Sequence, residues 1–195
     1  EAGLYYETKV TTLLDVDEDP SNDIATGGFD TYLLSHTPIM FLFTNSGCGP
    51  CVQANQAMDT YMPGQGNAVA LMRIHAWWPY SGDIMYTANV PQCTDYIDEY
   101  GVNGVPDFWL DGFSGLGYAG ADAVAAFEEA KFWASPMRVT PLFWNLATEQ
   151  LTVEIEINAP LPPDGDYRLV CCFTEDGIEH NGGNGEPIHN QAFLW

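Results

Sequence analysis

An unbroken apolar run, Ile39-Met40-Phe41-Leu42-Phe43, leads through Thr44-Asn45-Ser46-Gly47 into Cys48-Gly49-Pro50-Cys51. The run reads as a strand covered on both faces, and Asn45-Ser46-Gly47 as the turn that ends it. Cys48 then falls at a helix N-terminus. Unpaired backbone N–H groups and the positive end of the helix dipole favour a thiolate there, so Cys48 is the expected nucleophile, with a depressed pKa. Cys51 lies one turn further on, close enough to close a disulfide. Pro50 fits the first helical turn, where its missing N–H costs nothing. A lone C-x-x-C is also half a zinc site or an inert structural disulfide. Zinc needs a second ligand pair at suitable spacing, and Cys93, Cys171, Cys172 and the four His do not supply one. No metal is expected, and no cofactor beyond the cysteine pair itself.

Upstream, Leu4 to Val10 reads as a strand, Asp15-Val16-Asp17-Glu18-Asp19-Pro20-Ser21-Asn22-Asp23 as a solvated acidic loop, and Phe29 to Ser35 as a short helix. The acidic loop is not an EF-hand: Pro20 stands where its glycine belongs and Thr26 where its bidentate Glu belongs. Downstream, Ala54, Ala57, Met58, Tyr61 and Met62 form one apolar helix face, and Pro63-Gly64-Gln65-Gly66 ends that helix. Ala68 to His75 reads as a second buried strand, parallel to the first because a helix connects them. The carboxyl ends of parallel strands line the active edge of an open α/β sheet, so His75, Trp77, Trp78 and Tyr80 are expected on the edge that carries Cys48. There His75 is a candidate for thiol proton transfer, and the tryptophans for an apolar rim. A hydrogen-bonded structural His and a core-capping Trp pair are the plainer alternatives.

Val90 to Tyr100 is the next expected helix, with Asn89 as N-cap and Cys93 on its buried face. Gly104-Val105-Pro106-Asp107-Phe108-Trp109-Leu110-Asp111-Gly112 reads as a turn, a proline, a short strand and the start of a hairpin whose second strand is Phe113 to Tyr118. Ala121 to Ala134 is the last helix. From Met137 strands follow without helices. Leu151 to Ile157 alternates so as to bury one face, Tyr167 to Phe173 is a strand that puts Cys171 and Cys172 on opposite faces as buried or half-buried free thiols rather than a bonded pair, and Ala192 to Trp195 begins another. Three or four strands in about 59 residues leave edges and an apolar face open, so this sheet packs on the first domain or continues past Trp195.

Composition removes several function classes. Five Lys and Arg against 27 Asp and Glu give a net charge of −22, which argues against nucleic acid and anionic membranes, since both need a basic footprint. No apolar run approaches the roughly 18 residues of a membrane span. Glu1-Ala2-Gly3-Leu4 has neither the basic nor the apolar region of a signal peptide, so either a signal was already removed or there was none. At 46% hydrophobic residues the 195-residue chain has enough apolar content for one ordinary domain and a small one.

C-G-P-C at a strand-to-helix junction, followed by G-V-P before a strand and D-G, resembles the thioredoxin superfamily. The resemblance implies a three-layer α/β/α domain over 25–136, after an N-terminal strand and acidic loop over 1–24 and before a small all-β region over 137–195. It further implies that Pro106 is cis beside the cysteines and that the backbone of Val105 pairs with bound substrate. F-T-N-S-G-C-G-P-C, R-I-H-A-W-W-P and Y-G-V-N-G-V-P-D-F-W-L-D-G with a distal E-D-G-I are more closely similar to the exported bacterial proteins named for a twenty-eight-kilodalton outer-membrane protein. That likeness implies export to the periplasm or cell surface, an oxidising setting where a cycling cysteine pair needs a partner to reset it. Gly47 stands in the place of the tryptophan before the first cysteine, and Leu42 in that of the buried acid that serves the second.

The expected function is thiol–disulfide exchange on protein or peptide disulfides, favoured in the reducing direction. Cys48 and Cys51 are the catalytic candidates, Gly49, Pro50, Val105 and Pro106 the substrate contacts, and His75, Trp77, Trp78 and Asp107 the auxiliaries. The competing expectation is a binding module that keeps Cys48–Cys51 as a static disulfide.

Overall fold

The computed structural model describes residues 5–12, 19–30, 34–145, 147–158, 161 and 163–194. In chain order its strands and helices are β1 (Tyr5–Thr11), β2 (Ile24–Asp30), β3 (Leu34–Ser35), β4 (Ile39–Thr44), α1 (Cys51–Tyr61), β5 (Ala70–His75), α2 (Ile84–Ala88), α3 (Val90–Glu99), β6 (Asp107–Leu110), β7 (Ser114–Gly117), α4 (Gly120–Ala130), β8 (Ala134–Ser135), β9 (Met137–Asn145), β10 (Gln150–Ile157), β11 (Thr174–Glu175), β12 (Ile178–Glu179), β13 (Ile188–His189) and β14 (Ala192–Phe193). They form two compact units, Glu1–His36 with Trp133–Asp166, and Thr37–Phe132 with Tyr167–Trp195. Residues 167–194 thus group with the central sheet, whereas the sequence assigns them to the same segment as 137–158. No helix among the described residues is long and apolar enough to cross a membrane.

The larger unit is α/β. Its mixed sheet runs β11-β14-β5-β4-β6-β7, with β4 parallel to β5 and antiparallel to β6. Side chains alternate across β4, and both faces are covered. Met40 and Leu42 point to a core shared with Ala54 and Met58 of α1 and with Ala123 and Phe127 of α4. Phe43 joins Met72, Ile74, Cys93, Ile97 and Phe193 on the α3 side. The β6–β7 hairpin turns on Asp111 and Gly112, both at positive φ (51° and 74°), and the Asp111 carboxylate accepts from the Ile39 N–H at 2.9 Å. One charge is buried in the sheet. Arg73 of β5 is 2% exposed, and its guanidinium donates to Asp59 of α1 at 2.7 Å and to the Asn55 carbonyl at 3.3 Å.

The smaller unit consists of two-stranded antiparallel pairs. β1 and β2 pair residue for residue from Tyr5↔Asp30 to Thr11↔Ile24, β9 pairs with β10 across a bulge at Thr152/Val153, and β3 pairs with β8.

Several expectations are corrected. Phe29 to Ser35 is not a helix, since residues 24–30 are committed to the ladder with β1 and 34–35 to β8; 31–33 lie outside the described residues. So do Leu4, Trp195 and the acidic residues 15–18. Helix α4 stops at Ala130 rather than Ala134, because Ser135 precedes Pro136 and is drawn with Ala134 into an extended pair with β3. Tyr167 to Phe173 forms no ladder; Leu169 and Val170 are exposed, and Cys171 and Cys172 are exposed thiols, not half-buried ones. Alternation along β10 does not bury a face either, as Leu151, Ile155 and Ile157 all remain exposed.

Candidate functional site

Strand β4 ends at Thr44, and the chain makes a turn before α1 begins at Cys51. Asn45 builds that turn. Its side-chain amide donates to the carbonyls of Ala76 (2.7 Å) and Tyr80 (2.9 Å), its side-chain oxygen accepts from the Gly47 N–H (2.8 Å), and its backbone carbonyl accepts from the Cys48 N–H (3.0 Å). Cys48 and Cys51 are joined as a disulfide, with Cα atoms 5.3 Å apart. The N–H of Cys51 points at Cys48 Sγ from 3.2 Å, so one of the free donors of the helix N-terminus is aimed at the sulfur. Cys48 Sγ also lies 3.4 Å from the Val105 carbonyl oxygen, and the Val105–Pro106 peptide is cis. Gly49 and Pro50 form the exposed corner of the turn. A groove of about 710 Å³ lined by Pro50, Gln53, Val105, Pro106 and Tyr118 opens beside them. The structure therefore gathers Cys48, Cys51, Pro50, Val105 and Pro106 at one place.

The auxiliary candidates are placed otherwise. His75 is buried, and its Nδ1 lies 2.8 Å from the Asp83 carboxylate. Asp107 is half-buried and accepts from the Trp109 indole at 3.2 Å, on the α3 side of the sheet where Trp109 packs, not the side where α1 sits. Burial pushes its carboxyl above the ordinary value, against the hydrogen bonds from Trp109 and the Phe108 N–H. Neither His75 nor Asp107 is hydrogen-bonded to either cysteine. Trp77 is exposed and Trp78 half-buried, their rings in edge contact at 5.3 Å. His75, His180 and His189 approach one another with ring centroids 5.9 and 6.0 Å apart, but no group of three or more His, Cys, Asp or Glu is placed to hold a metal among the described residues.

Sequence reasoning missed Asp83. Fully buried, it accepts from the Ser46 N–H (2.7 Å) in the cysteine turn, from the Tyr86 N–H (3.0 Å) as N-cap of α2, and faces His75. Burial alone would raise its carboxyl pKa. The His75 ring and the two N–H groups outweigh that and hold it at about 2, against an ordinary 3.8. A folded-state pKa below the unfolded one contributes stability that is complete above about pH 4 and is lost as pH falls toward about 2, here about 2 kcal/mol. Urea unfolding of the wild type and Asp83→Asn from pH 5 to pH 2 is expected to show a gap between them that narrows through this window. A gap independent of pH would contradict the assignment.

The remaining thiols separate by environment. Cys93 is fully buried, and burial pushes its pKa up to about 12. Alkylation of the oxidised, folded chain is expected to label Cys171 and Cys172 and spare Cys93 until unfolding, as read by peptide mass spectrometry.

No protein-family model and no curated protein sequence matches the chain. Among solved structures, HBP35 of Porphyromonas gingivalis superposes with a TM-score of 0.58 at 14% identity, covering 84% of this chain and 57% of that one. A protein from Agrobacterium tumefaciens aligns with 57% of this chain and 53% of its own at 23% identity and a TM-score of 0.42. A malarial protein aligns with 50% of this chain and 100% of its own at 14% identity and a TM-score of 0.36. The chain spans a little over half the length of HBP35, and at 14% identity the likeness between them is one of fold.

Proposed function

We propose that this chain is a thioredoxin-like thiol–disulfide oxidoreductase that acts on protein or peptide disulfides in an exported compartment. The observation that carries the reading is the Cys48–Cys51 disulfide with a helix N–H aimed at Cys48 Sγ and the Val105 carbonyl beside it. In the reducing direction a dithiol donor first reduces the pair. The Cys48 thiolate attacks one sulfur of the substrate disulfide; a Cys48–substrate bond forms, the substrate S–S bond breaks, and the second substrate sulfur leaves as a thiolate that takes a proton from water. Cys51 then loses its proton and attacks Cys48 Sγ, which closes the intramolecular disulfide and expels the first substrate sulfur. Two electrons pass to the substrate. With Leu42 in the place that the thioredoxin resemblance gives to a buried acid, His75 held by Asp83 and Asp107 held by Trp109, the Cys51 proton goes to water, so the second step is the slow one.

Cys48 is only 2% exposed, which favours a second reading in which the pair is a static bridge in a binding module. Glutathione-redox titration separates them. A potential above about −280 mV with a Cys48 pKa near or below about 7, read from alkylation rate against pH after reduction, is the result expected of the oxidoreductase. A potential below about −300 mV with an unreactive Cys48 would transfer the assignment to the binding module.

A further inference from the structure

Gly47 stands where the thioredoxin resemblance places a large aromatic, and the space beside it is filled from elsewhere in the chain. A Cβ on Gly47 would lie 2.1 Å from the Tyr80 Cβ. On the adjoining side the glycine-rich stretch 181–186 lies across the turn. A Cβ on Gly182 would stand 1.9 Å from the Ser46 carbonyl oxygen, an approach only glycine permits. The Asn184 N–H donates to that same carbonyl at 3.1 Å, and the Asn184 side-chain amide donates to the Cys48 carbonyl at 3.4 Å and to the Glu186 carboxylate at 2.5 Å. Asn55 of α1, one turn beyond Cys51, donates to the same Glu186 oxygen at 3.0 Å. The loop is thus bonded to the backbone of both Ser46 and Cys48 and anchored to the helix that carries Cys51. Cys48 beside it is 2% exposed.

What remains open is the side of the groove beside Pro50, Val105 and Tyr118. Its lining contains no charged side chain, in a chain of net charge −22, and its small residues Ala54, Ala57, Gly104 and Ala121 leave room for a backbone rather than for bulky side chains.

Resting on the oxidoreductase reading, we propose that loop 181–186 is a specificity-determining wall: it leaves the cysteine pair approachable from one side only, so that it takes a disulfide carried on a single extended polypeptide segment. Cystines flanked on both sides by packed chain, as in folded proteins, are turned away by steric conflict with Gly182–Asn184. Asn184 and Glu186 are positioning residues, since they hold the wall and touch no reacting sulfur.

The test compares the reduced chain on two substrates that a small dithiol reduces at equal rates: an unstructured peptide with one disulfide and a compact folded protein with one surface disulfide. Wild type is expected to favour the peptide. Asn184→Ala is expected to narrow that preference by about tenfold, the scale of the one side-chain hydrogen bond that ties the wall to the Cys48 carbonyl, by raising the rate on the folded protein. An unchanged ratio, or a slowing of both substrates together, would overturn the wall. A second measurement needs no variant. Cys48 of the reduced wild type is expected to react faster with a small alkylating reagent than with a polymer-linked one of the same chemistry, and equal rates would overturn the proposal. If the reduced chain exchanges with neither substrate, the oxidoreductase reading itself fails and the wall with it, whereas exchange without a substrate preference defeats the wall alone.

Discussion

Replacing Cys48 with serine is expected to abolish disulfide exchange, a loss of at least about a thousandfold, because a serine hydroxyl is not ionised at neutral pH and the thiol left at the site, Cys51, is wholly buried and out of a substrate's reach. Cys93 is buried on the α3 side, and neither Cys171 nor Cys172 is among the groove residues. Cys51→Ser is expected to behave differently. It keeps the nucleophile and removes the group that resolves the intermediate, so a substrate–Cys48 mixed disulfide should accumulate and show as a reducible mass shift. Both variants should fold. The disulfide spans a sequence separation of only three, and closing so short a loop is worth about 2 kcal/mol in the chain-entropy account. Full activity in Cys48→Ser would sink the oxidoreductase reading, and an unfolded Cys48→Ser would make the bridge structural. Reduction of a peptide disulfide followed by chromatography, with circular dichroism on the same samples, reads both.

The parts of this site that the sequence makes legible are those written in local chemistry. A two-sided strand announces itself as an unbroken apolar run, and Met40, Leu42 and Phe43 do occupy two cores on opposite faces of the sheet. The Asp111-Gly112 hairpin follows from its turn residues in the same way, and so does the strand-to-helix junction at the cysteines, although α1 starts at Cys51 with Pro50 as its N-cap rather than at Cys48. What escapes is non-local. Asp83 follows Ser81-Gly82 and looks like a plain helix cap; nothing nearby says that its carboxylate reaches back 37 positions to the Ser46 N–H. Asn184 lies in a glycine and asparagine stretch, Gly177 to Gly185, that reads as a loop, and Glu186 directly follows it. The signal present was the Gly182-Gly183 pair itself, since adjacent glycines also mark close backbone approach. Alternation over Leu151 to Ile157 states only which residues share a face. It cannot say whether that face meets anything, and among the described residues these side chains stay exposed.

Asp83→Ala is expected to cost about 3 to 5 kcal/mol, a large share of the stability of an ordinary domain. The side chain is wholly buried and serves three groups at once, so its removal orphans the Ser46 N–H, takes the N-cap from α2 and leaves His75 without its carboxylate. A buried unpaired N–H costs about 1–3 kcal/mol and a lost cap about 1 kcal/mol, and the unpaired imidazole adds to both. Asp83→Asn should fall between wild type and alanine. Its single side-chain oxygen can accept from Ser46 or from Tyr86 but not from both, while its amide still reaches His75. Because Ser46 lies two residues before Cys48, the alanine variant should also loosen the turn and slow exchange, whereas a core truncation of matched cost remote from the turn, such as Phe127→Ala, should lower stability and leave the exchange rate of the folded fraction unchanged. Urea titration at pH 7 measures the stabilities, and the gap between wild type and each Asp83 variant should narrow by about 2 kcal/mol as the pH falls to about 2, where the native Asp83 carboxylate is itself protonated. A loss under about 1 kcal/mol for the alanine variant would mean that water or a shifted backbone satisfies Ser46 without Asp83, and the turn would then owe its shape to Asn45.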